Sequence, residues 1–425
     1  MAPTVVPLPT SPATASAGQR PTLSTAPSSP AAGRTGGWQS DLLKLVPGLQ
    51  HAQRDLDQLV SLADLQAAVD RLVAAVPNST DDQLLVGLMR IVATVSARGC
   101  DGHLGAFVWG EGTYPVDSLP LRLWLFDEGV YIVDALPPYE RLVGSRIDAM
   151  AGETIDRVLT SIEPIVPRDN AQTVRLLMPR FLLMPQVLRG LGIAGPGPVS
   201  LRLTAVDGTT SEVAVDPIAM ADYNAWVGRY GLWLPADPDV LYLSRIGDAL
   251  WWRRLDGGTL YVQYNRVELM SSSDLDQLHA ALTDPQTESV VFDVRLNYGG
   301  EVSAIEPILR ELSAPEVDRP GRLFLVTGRN TFSAASLLVA RLDRDTSAVI
   351  VGEPMGGCPT AWGNSRTLEL PYTGIAVSIP TQLEVGVSAD DPRLTIEPDL
   401  PARLTPRDWA AGADPALVAI ADYRP

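Results

Sequence analysis

The sequence is almost without lysine: of its 33 basic residues only Lys44 is one, and the rest are arginine. Chemistry that needs a deprotonated lysine must therefore use Lys44, in the N-terminal stretch, or be discarded. Histidine is nearly as scarce, with His51, His103 and His279 the complete set. Two cysteines, Cys100 and Cys358, are too few for a disulfide framework or a cysteine-rich zinc site. They leave one bridge or two buried thiols. No apolar run approaches the roughly 18–20 residues of a membrane span. Nor does the N-terminus show a basic segment, an apolar core and a small-residue cleavage site in succession. The chain reads as cytosolic, or as exported with its signal removed. Basic charge is short as well: 33 Lys and Arg face 50 Asp and Glu, for a formal net charge of −17. That excludes the cationic footprint a nucleic-acid backbone demands.

What is present suffices for two or three domains with real cores, since 46% of 425 residues are hydrophobic. Residues 1–37 are nearly all Pro, Ala, Ser, Thr and Gly. They cannot bury enough apolar area to offset chain ordering, so a disordered tether is expected there. Such tethers often stand between an exported domain and its signal or lipid anchor, and cytosolic linkers share the composition. From 38 to 118 a helical region is expected. Leu59, Leu62, Leu65, Val69, Leu72 and Val73 recur at helical spacing up to Pro77. Leu84, Leu85, Leu88, Ile91, Val92 and Val95 do so after Ser79-Thr80. This region runs into Cys100-Asp101-Gly102-His103. Residues 119–215 turn to short strands (LRLWLF, VYIVDA, SRIDAM, VSLRLTAV) with a helical insertion around 170–192, which reads as a mostly-β module. From 216 to 425 apolar strands at 258–265, 289–295, 322–327 and 347–352 alternate with helices, which argues a layered α/β core with parallel pairs.

Three places could carry chemistry. Ser333 lies where an apolar strand gives way to an apolar helix, near free backbone N–H groups that favour a developing oxyanion. Its plain alternative is helix capping by Ser333 or Thr331. Gly299-Gly300 follows the strand ending FDVR and can bring backbone N–H groups into a cleft, or can be an ordinary turn. His103 sits at an irregular junction where a side chain can be aimed, or can be a loop histidine bonded locally. Trp233, Trp251, Trp252 and Trp362 read as core or interface packing, with a ligand-binding surface as the alternative.

The order CDGHL, YERLVGSRIDAMAGETI, LYVQYN, FDVRLNYGGE, TGRNTFSAAS, VGEPMGGCP and IEPDLP resembles the serine peptidase family of C-terminal-processing proteases, the tricorn core and retinoid-binding repeats. The resemblance covers the chain from about residue 80 onwards. It implies an α/β fold with a crotonase-like (ClpP-like) ββα core, a helical N-terminal domain and an inserted PDZ-like β module. It implies Ser333 as nucleophile, with Ala334 and the Gly299-Gly300 turn as oxyanion hole. In the processing-protease branch the base is a lysine; here Cys358 stands at the matching position. The DGH segment instead resembles the branch with a histidine base, which gives that role to His103, with Asp101 or Glu353 as the orienting acid. The expected activity is an endopeptidase acting on polypeptide or peptide, without metal or organic cofactor. A non-catalytic ligand binder and an esterase are the rivals. If His103 and Ser333 meet, the resemblance also brings Cys100 and Cys358 into one neighbourhood. A disulfide there implies an oxidising, extracellular or envelope location. Two reduced thiols packed as small apolar groups remain the other reading.

Overall fold

The computed structural model describes residues 32–53, 56–108, 114–228, 233–388 and 391–424. It is a mixed α/β structure with a helical N-terminal region and several sheets. The expected tether lies outside these residues as far as 31. Its last part is helical instead, because a helix starts at Ala32 and runs to Leu43. Arg34 anchors that helix by donating to Asp81 (2.8 Å) and to the Ser79 carbonyl (2.7 Å), and the buried Trp38 donates to Asp81 (2.9 Å). Tertiary anchoring of this kind outweighs the poor helix propensity of Gly36 and Gly37. Gly37 is required, since a methyl group there would fall 2.2 Å from the Tyr372 ring.

The apolar run from 56 to 76 is not one helix. Ser61 interrupts it and caps Leu62–Ala75 by accepting from the Asp64 N–H. Thr80 and Gln83 form a capping box that starts Asp81–Ser96, whose Leu84, Leu88, Val92 and Val95 are fully buried. The β module opens and closes at a neck where Asp117–Ser118 pairs antiparallel with Ile218–Ala219. Within it five strands lie in sequence order, from Leu121–Phe126 to Thr210–Val215, all antiparallel. Helices Ile155–Ile162, Ala171–Leu182 and Pro185–Gly190 occupy the connection between the third and fourth strands. One apolar cluster runs continuously through the N-terminal helices and this module.

The core sheet has six strands in sequence order: Leu250–Arg254, Thr259–Tyr264, Ser289–Asp293, Leu323–Thr327, Val349–Gly352 and Leu400–Pro401. The first pair is antiparallel and the rest are parallel. Successive side chains alternate between two faces. Leu260, Val262, Val290, Phe292, Leu323 and Leu325 pack against helices on one side, while Tyr261, Val291, Phe324 and Val326 pack on the other. Both faces are buried, which explains why these strands read as near-continuous apolar runs. Each such buried side chain contributes roughly 1.5–3 kcal/mol of apolar transfer. The parallel strands end together, and their ends carry the Asn297–Gly300 turn and the Gly328–Ser333 turn.

Candidate active site

The strand Leu323–Thr327 feeds the helix Ala334–Asp345 through a turn pinned at Thr331. The Thr331 hydroxyl donates to the Val294 carbonyl (2.9 Å) and accepts from the Gly328 N–H (3.1 Å), tying the turn to the neighbouring strand. Ser333 occupies the N-cap position with φ 55° and ψ −130°, yet its hydroxyl makes no capping bond. A non-glycine residue there costs of order 1–3 kcal/mol. Capping therefore does not account for Ser333. Its Oγ lies 3.1 Å from Nε2 of His103 instead, across 230 residues of sequence.

Asn297 builds the facing turn. Its side chain donates to the Tyr264 carbonyl (2.8 Å) and accepts from the Gly299 N–H (2.9 Å), and its own carbonyl accepts from the Phe332 N–H (3.1 Å). Gly299 has φ +97°, and a methyl group on it would sit 2.6 Å from Ser333 Cβ. Glycine is the residue this approach admits. The expectation for Gly299 as an oxyanion donor needs correcting, because its N–H is already given to Asn297. The N–H groups of Gly300 and Ala334 have no partner among the described residues.

His103 reaches the site on a loop held from several directions. Its ring lies on Phe332, with centroids 4.7 Å apart, and Phe332 stacks in turn on Tyr298 at 5.0 Å. The next residues, Gly105–Ala106, pair with Val377 and Ser378 in a three-stranded sheet. Cys100 and Cys358 are joined as a disulfide, with Cα atoms 6.1 Å apart. Burial pushes the His103 pKa down to about 4, an effect the Trp362 backbone offsets in part. Among the described residues no partner meets hydrogen-bond geometry at Nδ1.

Neither acid expected to orient His103 is free to do so. Asp101 accepts from the Leu104 N–H (3.1 Å) and from Gln53 (3.2 Å), closing the turn that contains the histidine. Glu353 is ion-paired with Arg329 at 3.0 Å; burial raises its carboxyl, but the guanidinium wins and holds it below the ordinary value. Two carboxylates escaped the sequence reading. Glu384 lines the cleft beside His103 and Ser333 and has no hydrogen-bond or ion-pair partner among the described residues. Asp169 is buried, accepts from the N–H groups of Gly102 (2.5 Å) and Cys358 (2.9 Å), and is pushed up to about 7 by burial. Sequence signals for both are faint: Glu384 alternates with Leu383 and Val385 like any strand residue, and Asp169 precedes a helix-capping Asn170. His279, by contrast, is exposed and bonded to Glu311 at 2.8 Å. Trp233 and Trp251 are buried in apolar clusters and Trp252 packs half-buried against another, whereas Trp362 lines the cleft.

The dyad opens into a cleft of about 390 Å³ bounded by Gly300, Glu301, Leu337, Trp362 and the strand pair Thr360–Gly363/Gln382–Val385. No family model and no curated protein matches the chain. Solved structures do. CPAF complexed with lactacystin superposes with a TM-score of 0.61 at 14% identity, over 92% of this chain and 99% of that one. A serine-to-alanine mutant of CPAF gives the same score and identity over 92% and 96%. The photosystem II D1 C-terminal processing protease is a looser likeness, with a TM-score of 0.42 at 13% identity over 90% and 96%. At this identity the likeness establishes the fold: the chain is built like CPAF over nearly the whole length of both.

Proposed function

We propose that the protein is a serine hydrolase, an endopeptidase working through an acyl-enzyme on Ser333. The observation that carries this reading is the 3.1 Å contact between His103 Nε2 and Ser333 Oγ, made at a serine that caps nothing. His103 Nε2 takes the hydroxyl proton as Oγ attacks the substrate carbonyl. The N–H groups of Gly300 and Ala334 receive the negative charge that forms on the carbonyl oxygen. The imidazolium then gives its proton to the departing amine, leaving Oγ acylated. A water, deprotonated by the same nitrogen, attacks the ester, and the proton returns to Oγ as the acid leaves. With His103 held near 4, the base is already neutral in mildly acidic solution. Glu384, a cleft carboxylate with no hydrogen-bond or ion-pair partner among the described residues, is the group read as balancing the imidazolium.

The core from 216 to 425 is read as crotonase-like, supported by its parallel strand–helix units with glycine turns at the strand ends. The segment 119–215 is read as an inserted PDZ-like module that grips an unstructured polypeptide by strand addition, supported by its own antiparallel sheet and narrow neck. The helical region 38–118 then serves to carry the base. An extracellular or envelope location fits the Cys100–Cys358 bridge. No helix among the described residues is long and apolar enough to cross a membrane.

A fluorophosphonate probe tests the reading. It should label wild-type protein at Ser333 and leave Ser333→Ala untouched. The labelling rate should have its lowest step where His103 protonates, near 4. An unlabelled wild type would exclude a working serine hydrolase and leave a binding protein. Comparing casein with a small ester then separates peptidase from esterase.

A further inference from the structure

The loop bearing the base and the loop bearing Cys358 meet on a third segment, Arg168–Thr173, contributed by the β module at the start of its Ala171–Leu182 helix. Asp169 divides its two oxygens between them, one accepting from the Gly102 N–H and the other from the Cys358 N–H. The neighbouring side chains reinforce the second contact. Asn170 donates to the carbonyls of Met355 (3.2 Å) and Leu394 (2.8 Å), and Thr173 donates to that of Gly356 (2.5 Å). Space allows little play. A methyl group at Gly102 would lie 2.9 Å from Asp169 and 3.1 Å from Phe332, and one at Gly357 would lie 3.2 Å from Phe332 Cα. Phe332 is both the residue before Ser333 and the surface under the His103 ring.

We infer that Asp169 is a positioning residue for the Ser333–His103 site: its carboxylate fixes the base-bearing loop, through Gly102, in register with the nucleophile turn, through Cys358. This rests on the hydrolase reading above. It extends that reading by making the β module part of the catalytic alignment as well as a site for gripping substrate. The chemistry sets a condition. A carboxylate accepts both N–H bonds at once, whereas a protonated carboxyl or an amide offers one good acceptor and turns a donor towards the other N–H. The groups around Asp169 make protonation accessible. Burial pushes it up to about 7, outweighing its two N–H bonds. The Asp101 carboxyl and the Tyr298 phenol are the titratable groups that face it, and each is raised by burial first and then by the charge of Asp169. The Arg168 guanidinium is turned away to Glu163. The alignment is therefore complete only above neutrality.

Fluorophosphonate labelling of the wild type and Asp169→Asn from pH 4 to 9 tests this. The wild-type rate should climb in two steps, near 4 and near 7. Asp169→Asn should lose the upper step and label at least tenfold more slowly at pH 8, with the maximal inactivation rate reduced and probe affinity unchanged. A labelled wild type together with an Asp169→Asn of equal rate and equal pH profile would overturn the inference alone. A wild type that is never labelled would remove the hydrolase reading, and this inference with it. If Asp169→Asn does not fold, amide exchange on the wild type decides. Corrected for intrinsic rates, protection at Gly102 or Cys358 should drop from pH 8 to pH 6, and equal protection would overturn the proposal.

Discussion

The two halves of the dyad are built in opposite ways. Ser333 is placed by its own neighbourhood: a strand, a turn pinned by Thr331, a helix, and the adjoining strand's Asn297–Gly300 turn. Every part lies within about 40 residues, in one strand–helix pattern. His103 has no such support. Its loop is held by Gln53, Asp169, Cys358 and the Ile375–Ile379 strand, drawn from four separate parts of the chain. A nucleophile made of local geometry survives disturbance elsewhere, whereas a base made of long-range contacts records it.

The largest effect should erase the contrast. Ser333→Ala and His103→Ala should each abolish labelling and turnover to a similar extent, on the order of 10³-fold or more, because members of one catalytic unit are not additive. Melting of Ser333→Ala should stay within about 1 kcal/mol of wild type. If His103→Ala keeps most of the activity, the base is elsewhere and the comparison collapses.

An intermediate effect should expose it. Cys100→Ser removes a bridge between residues 258 apart, for which the chain-entropy model gives about 5.5 kcal/mol. Labelling should fall several-fold as the His103 loop loosens. Hydrogen exchange should rise around 100–106 and remain low around 328–336. Equal loosening of both segments would show that the nucleophile depends on distant support too.

The smallest effect lies in the pH dependence of stability. His103, lowered to about 4 in the fold, makes the protein lose stability as pH falls from about 6.5. Asp169, raised to about 7, works the other way: the folded state keeps a proton that the unfolded chain releases near 4, so stability declines as pH rises to 7. Each is worth on the order of 3 kcal/mol, and they oppose each other between pH 4 and 7. Denaturant titrations should show a shallow slope for the wild type. His103→Ala should steepen the decline with rising pH, and Asp169→Asn should flatten or reverse it. Parallel profiles for all three would show that neither group titrates as described.

The same contrast decided what the sequence could tell. The strands at 258–265, 289–295 and 322–327 were legible because burial on both faces leaves apolar runs; Ser333 stood out at their junction with a helix, where capping was the plain alternative and only the resemblance favoured a nucleophile. The start of the first helix at Ala32 was not, since Arg34 and Trp38 hold it through Asp81, some 45 residues away. Asp101 and Glu353 were the candidates for an orienting acid under the family resemblance, but hydrogen bonding spends one on Leu104 and Gln53 and the other on Arg329. Asp169 carries no motif at all. Its importance comes from two backbone N–H groups that only the folded chain brings to it.

One contact far from the cleft bears on when the site can exist. Asp41, in the first described helix, accepts from the N–H groups of Tyr372 (3.1 Å) and Thr373 (2.8 Å) across 331 residues, and the strand that follows this turn is the one paired with Gly105–Ala106. During synthesis the chain emerges from its N-terminus, so the helices that carry His103 are complete long before the strand that steadies them exists. Closing so long a separation is slow compared with local folding. A nascent chain stopped before about residue 380 holds Ser333 and its turn but lacks the seat for its base. In the function proposed, competence therefore waits on the strand Ile375–Ile379 and not on the nucleophile turn alone.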